Sequence, residues 1–198
     1  MKVPASVRAL FEAQRDANDK LREAVKDLLK PRLQPYWHYV DRVKTEESFA
    51  LKIESGRFGD PARLEDFFAC TIVVRNHSEI PEAEKLVLEI FSLHERRPPS
   101  SVLTKKYSSS FAFDDLRLYV KYIEDPALPP KGLKDIPFEV QVKTFLQHAW
   151  SIATHDLIYK TDSVSWPKER IAFQVRAMLE HVEISITEAE QRGCPESS

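Results

Sequence analysis

Glycine and cysteine are both scarce in this chain of 198 residues, with 4 and 2 copies. The glycines, at 56, 59, 132 and 193, form neither GxGxxG nor GxxxxGK[ST], so a backbone phosphate cradle is excluded and any phosphate must be met by side chains. Cys70 lies inside the apolar run FFACTIVV and Cys194 in a polar tail. That excludes a thiolate metal centre, makes a disulfide improbable and suits a reducing compartment. No stretch reaches the roughly 18 uninterrupted apolar residues of a membrane span, and the start MKVPASVRALFEAQRD lacks the apolar core of a secretion signal. The expectation is a soluble, cytoplasmic protein with no membrane partner. Excess charge of one sign is also missing: 29 Lys and Arg against 31 Asp and Glu leave a net charge of -2, no global field for gathering nucleic acid.

What is present, 42% hydrophobic and 30% charged residues, is the composition of a globular protein, and the length predicts one domain over 1–198. Val7, Leu10, Phe11, Ala17, Leu21, Val25 and Leu28 recur at helical spacing from Ala5 to Leu29, interrupted only by Gln14, and Pro31 and Pro35 end that N-terminal helix, 1–30. Tyr36 to Val43 reads as a strand, Thr45 opens a helix that Gly56 stops, and Phe67 to Val74 reads as a buried central strand. Pro81 introduces a helix expected to reach His94; Arg96 to Ser110 reads as a loop. Two further strands are predicted at Arg117 to Ile123 and Phe138 to Val142, then a helix from Thr144 to Tyr159 with Ala149, Ile152 and Leu157 buried. A last helix, 167–192, follows Trp166-Pro167, leaving 36–160 as the catalytic core. The order predicts an α+β (α/β) domain, a mixed sheet of about four or five strands flanked by helices. The long terminal helices suggest a homo-oligomer.

Three clusters carry chemistry. In RVKTEESFALK, Arg42 and Lys44 project from one face of a strand, and Ser48 and Lys52 share a stripe of the next helix. They would converge on the helix N-terminus as a phosphate site, though the same pattern also describes a solvated strand end. Asp66 and Glu139 stand in apolar strand contexts, where a pair of carboxylates calls for a cation such as Mg²⁺ between them. In EVQVKT, Glu139, Gln141 and Lys143 share one face while Val140 and Val142 face the core, and His148 and His155 lie two turns apart on the following helix. Their spacing does not suit zinc.

In this order the clusters resemble the synthetase domain of the RelA/SpoT family. Its R-x-K-x-x-x-S-x-x-x-K segment is filled by Arg42, Lys44, Ser48 and Lys52, its metal-binding Asp by Asp66, and its ExQxRT-helix motif by Glu139, Gln141, Lys143, Thr144, His148, Trp150, His155, Tyr159 and Lys160. The resemblance implies a nucleotidyltransferase-like fold and an Mg²⁺-dependent pyrophosphokinase that moves the β,γ-diphosphate of ATP to a ribose 3′-hydroxyl, with AMP leaving. It assigns Arg42, Lys44, Ser48 and Lys52 to ATP, Asp66 and Glu139 to catalysis and the metal, and Phe113, Arg117, Gln141, Lys143 and His148 to the nucleotide acceptor.

The departures fall mostly on the acceptor side. Ala69 and Thr71 stand where the family carries glycine and arginine; Phe113 replaces its stacking tyrosine, Arg117 its histidine and Lys143 an arginine. Lys105, Lys106 and Tyr107 are further candidates for acceptor phosphates. Three readings follow: a stand-alone synthetase acting on GTP, GDP or an adenine nucleotide; a toxin that pyrophosphorylates the 3′ end of tRNA; or an inactive nucleotide-binding regulatory domain, with an antitoxin protein as a partner.

Overall fold

The computed structural model describes residues 3–56, 64–99, 115–123, 132–134, 136–154 and 165–192, and its strands form one mixed sheet of five. The elements in chain order are α1 (Ala5–Leu29), β1 (His38–Val43), α2 (Glu46–Glu54), β2 (Phe68–Val74), α3 (Ile80–Ile90), β3 (Phe91–Arg97), β4 (Leu116–Tyr122), β5 (Pro137–Thr144), α4 (Phe145–Ala153) and α5 (Trp166–Arg192). The spatial order is β1-β2-β5-β4-β3; β2 and β5 run parallel and every other pair is antiparallel. Described residues lie on both sides of the sheet, and no described helix is long and apolar enough to cross a membrane.

Alternation gives the sheet two unlike faces. One presents Phe68, Cys70, Ile72 and Val74 of β2, Phe138, Val140 and Val142 of β5, and Leu116, Leu118 and Val120 of β4. It is covered by α1 through Leu21, Val25 and Leu29 and by α3 through Ile80, Ala83 and Val87. Each such side chain contributes roughly 1.5–3 kcal/mol by leaving water. A smaller cluster of Phe11, Phe49, Leu64 and Phe67 holds α2 against the first half of α1. Gln14, the polar interruption in the α1 stripe, accepts the Leu64 N–H on Oε1 at 3.3 Å, which fastens the chain just ahead of Asp66.

Helix ends follow their local signals. The Thr45 hydroxyl accepts the Ser48 N–H at the start of α2, and Gly56 beyond its end adopts φ 63°, a conformation that favours glycine. Pro81 sits in the first turn of α3. Thr144 and Gln147 form a reciprocal capping box at α4, with the Thr144 hydroxyl accepting the Gln147 N–H and Gln147 Oε1 accepting the Thr144 N–H.

Two expectations are corrected. The helix after Pro81 stops at Ile90 rather than His94, and FSLHERR becomes β3, so Arg96 and Arg97 belong to a strand and not to a loop. The segment has one strand partner, β4, and lies at the sheet edge, where the apolar alternation of a buried strand is not required. In α4, Ala149 and Ile152 are exposed, Ile152 at 64%, because the helix buries Gln147 and is followed by buried Thr154. Leu157 lies outside the described residues. On α5, Ala172 and Glu183 turn inward while Ile171, Val175, Met178 and Val182 form an exposed stripe.

Phe138 is fully buried, with ring centroids 5.4 Å from Phe68 and 5.1 Å from Phe91. Phe138→Ala is expected to cost about 3–5 kcal/mol in chemical denaturation. A cost under about 1 kcal/mol would mean that these rings do not form the centre of the core.

Candidate active site

The second face of the sheet is polar, and strand register lays it out in rows. The first row is Arg42, Ala69, Glu139, Tyr119 and Glu95; the second is Val40, Thr71, Gln141, Arg117 and Arg97. A third begins His38, Val73 and Lys143, with Asp115 one residue ahead of β4. A register shift between Leu93 and Glu95 skips His94 and so brings Glu95 and Arg97 into these rows.

At the β1 end, Lys44 and Lys52 converge on Asp66. Lys44 Nζ lies 3.2 Å from Oδ2 and Lys52 Nζ 2.6 Å from Oδ1. Burial raises the Asp66 carboxyl, the largest single influence, but the hydrogen bond from Lys52 and the charges of Lys44 and Lys52 together outweigh it and hold the group below its usual 3.8. Burial also brings the Lys44 ammonium below its ordinary value, against the pull of Asp66 and with help from Lys52 and Arg42. Arg42 is exposed beside this group. The Ser48 hydroxyl accepts from Thr45 Oγ1 at 3.0 Å in the first turn of α2.

Glu139 is 3% exposed and surrounded by donors. Gln141 Nε2 donates to Oε2 at 3.0 Å, Tyr119 Oη to Oε1 at 3.4 Å, and Arg117 Nη1 lies 3.6 Å from Oε1. Asp66 and Glu139 thus keep separate partners, with Ala69 the small side chain beside Glu139 in its row. Two carboxylates are hard oxygen donors, and a set of only two fits Mg²⁺, which draws its remaining ligands from water and substrate phosphates.

Beyond Glu139, Arg117 pairs with Asp115 at 3.3 Å and Lys143 with Asp115 at 3.4 Å. Burial lowers Arg117, but Asp115 and Glu139 more than reverse it; burial leaves Lys143 below its ordinary value despite Asp115. His148 on α4 is also lowered, by burial and then by Lys143 and His38, which favours neutral imidazole at neutral pH. Arg117, Gln141, Lys143 and His148 are therefore grouped on one side of Glu139. Phe113, Lys105, Lys106, Tyr107, His155, Tyr159 and Lys160 lie outside the described residues.

Four residues of this face escape a motif search: Glu95, Arg97, Asp115 and Tyr119. The last two were reachable by the alternation that picks out Arg117, since Asp115, Arg117 and Tyr119 are two apart.

Asp66→Asn would leave Lys44 and Lys52 without their shared counter-ion. Because the native carboxyl is depressed, its contribution to stability is fully present above 3.8 and is lost as pH falls through the lower native value. Melting both proteins from neutral to strongly acid pH should show a deficit in the variant at neutral pH that closes in acid. A deficit equal at every pH would rule out the ion pairs as its source.

The sequence matches the family model described as the region found in RelA / SpoT proteins, over residues 41–164. No curated protein matches it significantly. Among solved structures it is similar to the small alarmone synthetase 1 from Bacillus subtilis, at 16% identity and TM-score 0.70, over 96% of this chain and 98% of that one. A GTP pyrophosphokinase family protein from Streptococcus pneumoniae is similar at 20% identity and TM-score 0.59, over 97% and 100% of the two chains. The fold is that of these structures, and the match across 41–164 takes in the second half of β1 and all of α2, β2, α3, β3, β4, β5 and α4. The chain belongs to the RelA/SpoT family and is a nucleotide pyrophosphokinase of that class.

Proposed function

We propose that the chain transfers the β,γ-diphosphate of ATP to the ribose 3′-hydroxyl of a free guanine nucleotide, GTP or GDP, forming an alarmone. The observation that carries this reading is the division of the polar face. Arg42, Lys44 and Lys52 stand at one end, buried Glu139 in the middle, and Arg117, Gln141, Lys143 and His148 beyond it. Arg42, Lys44 and Lys52 bind the ATP polyphosphate, where negative charge grows in the transition state; Ser48 contributes the capped N-terminus of α2 to the same end. Asp66 and Glu139 would hold Mg²⁺, which when bound neutralises polyphosphate charge. Because Asp66 engages both lysines, Lys44 and Lys52 would turn to the polyphosphate as Asp66 turned to the cation, and no charge would be left unpaired.

Glu139 takes the proton of the attacking hydroxyl, and the acceptor is held by Arg117, Gln141, Lys143 and His148; the family resemblance gives the base to Phe113, which lies outside the described residues. Catalysis rests on positioning and charge rather than on a covalent intermediate. The Bacillus subtilis synthetase 1 has been solved bound to its product pppGpp and to AMPCPP, which supports a guanine nucleotide as acceptor and an adenine nucleotide as donor here. A tRNA acceptor calls instead for a basic stripe running on from Arg96. At the described start of that stripe, Arg96 is bound by Glu84 at 2.6 and 3.0 Å and Arg97 by Glu95 at 2.7 Å twice.

The test supplies ATP labelled in its γ-phosphate with GTP, GDP, ATP or bulk tRNA. Label is expected in a guanine nucleotide, with Glu139→Gln lowering the rate by at least about 100-fold. Label in tRNA would overturn the free-nucleotide reading, and no transfer while ATP binds would leave a binding domain. Lys143→Arg, which restores a bidentate fork, is expected to lower the acceptor KM a few-fold and leave that for ATP unchanged. Steady-state kinetics with each substrate varied in turn decides this.

A further inference from the structure

Tyr119 joins three strands through one hydroxyl. Its side chain is 6% exposed and stands beside Glu139 in the first row of the polar face. The hydroxyl donates to Glu139 Oε1 at 3.4 Å and accepts from Arg97 Nη1 at 3.3 Å. The Arg97 guanidinium also lies over the ring, 4.5 Å from its centroid, and is held there by both oxygens of Glu95. The shift past His94 allows this, since it aligns Glu95 with Tyr119 and Arg97 with Arg117.

The chain of donors has one direction. Arginine has no acceptor, so Arg97 can only donate to the phenol oxygen, and the single phenol proton is then left for Glu139. Gln141 meanwhile donates to Oε2. One oxygen of Glu139 is thereby held from β4 and the other from its own strand, which fixes the plane of the carboxylate.

We propose that Tyr119, oriented by Arg97, is a positioning residue for the reaction: its hydroxyl aims Glu139 at the incoming ribose hydroxyl and metal. The proposal rests on the role given to Glu139 above. A donor that orients a working carboxylate typically changes metal affinity or activity by about 10- to 100-fold when removed.

The experiment compares full-length wild type, Tyr119→Phe, Arg97→Ala, the double variant and Glu139→Gln in one diphosphate-transfer assay, with ATP KM, Mg²⁺ half-saturation and thermal midpoint measured for each. Tyr119→Phe keeps the ring and is expected to melt as wild type. Its kcat should fall about 10- to 100-fold, its Mg²⁺ half-saturation should rise, and its ATP KM should stay within about 2-fold. Arg97→Ala should lose part of the same rate and add nothing in the Tyr119→Phe background, because it acts through the hydroxyl. Wild-type kcat in Tyr119→Phe beside an inactive Glu139→Gln would overturn the proposal alone. Additive loss from Arg97→Ala would overturn the relay from Arg97. An active Glu139→Gln would overturn the role of Glu139 and the proposal with it.

Discussion

The site depends on the register of the two central parallel strands, β2 and β5. Ala69 faces Glu139, Thr71 faces Gln141 and Val73 faces Lys143 because Phe68, Ile72, Phe138, Val140 and Val142 are held on the opposite face by α1 and α3. The side-chain period of a strand is two, so a slip by one residue would drive Glu139 and Lys143 into the hydrophobic core and two valines out of it. The energy that opposes such a slip is the burial of the whole apolar set. Hydrophobic packing on one side thus places the polar groups on the other, and no separate device is needed to aim the strand's three polar residues.

That placement puts charged groups in poor contact with water, and the arrangement of opposite charges answers the cost. Asp66 meets two lysines, Asp115 meets Lys143 and Arg117, and Glu139 meets Arg117 together with two neutral donors. The directions of the titration shifts agree with this picture. Asp66 is depressed and Arg117 raised, so in each case opposite charge outweighs burial, whereas Lys44 and Lys143 are lowered because burial outweighs theirs. The charged groups named here therefore have opposite partners before any substrate arrives, and charge that a substrate brings has to be met by an exchange of those partners.

Much of this was legible in the sequence, for stateable reasons. Central strand β2 is a continuous apolar run, β5 alternates, and Thr45, Gly56 and Pro81 mark helix ends by their own backbone chemistry. Spacings of two and four pair Arg42 with Lys44 and Ser48 with Lys52, and the fold of α2 beside β1 then brings Lys44 and Lys52 together at Asp66. Edge strand β3 was not legible, because FSLHERR has neither the apolar run of a buried strand nor an uninterrupted alternation, and its bulge breaks the period at His94. The exposure of Ile152 was hidden for another reason: which side of α4 is buried is decided by its packing against other elements, which periodicity within a short helix does not report. Ser48 fits a motif by position, and its backbone N–H and hydroxyl both meet Thr45 Oγ1, a pairing that spacing alone does not reveal.

Thr71 shows how a local departure reads differently once strands are paired. Taken along the chain, the residue removes a guanidinium from the strand that follows Asp66. Taken across the sheet, Thr71, Gln141 and Arg117 share one row, and Arg117 on β4 extends to within 3.6 Å of Glu139. Among the described residues it is the guanidinium in ion-pair reach of that carboxylate. Positive charge beside Glu139 is thus present but enters from β4, on the side of Lys143 and Asp115, rather than from β2, on the side of Lys44 and Lys52. A cation in that place acts on whatever lies between Glu139 and Lys143 more strongly than on the end that holds Lys44 and Lys52, because Coulomb attraction weakens with distance and is screened on the open face. Across the sheet, the positive charge beside Glu139 therefore stands at the Lys143 end of the face, the end that the proposed function gives to the acceptor.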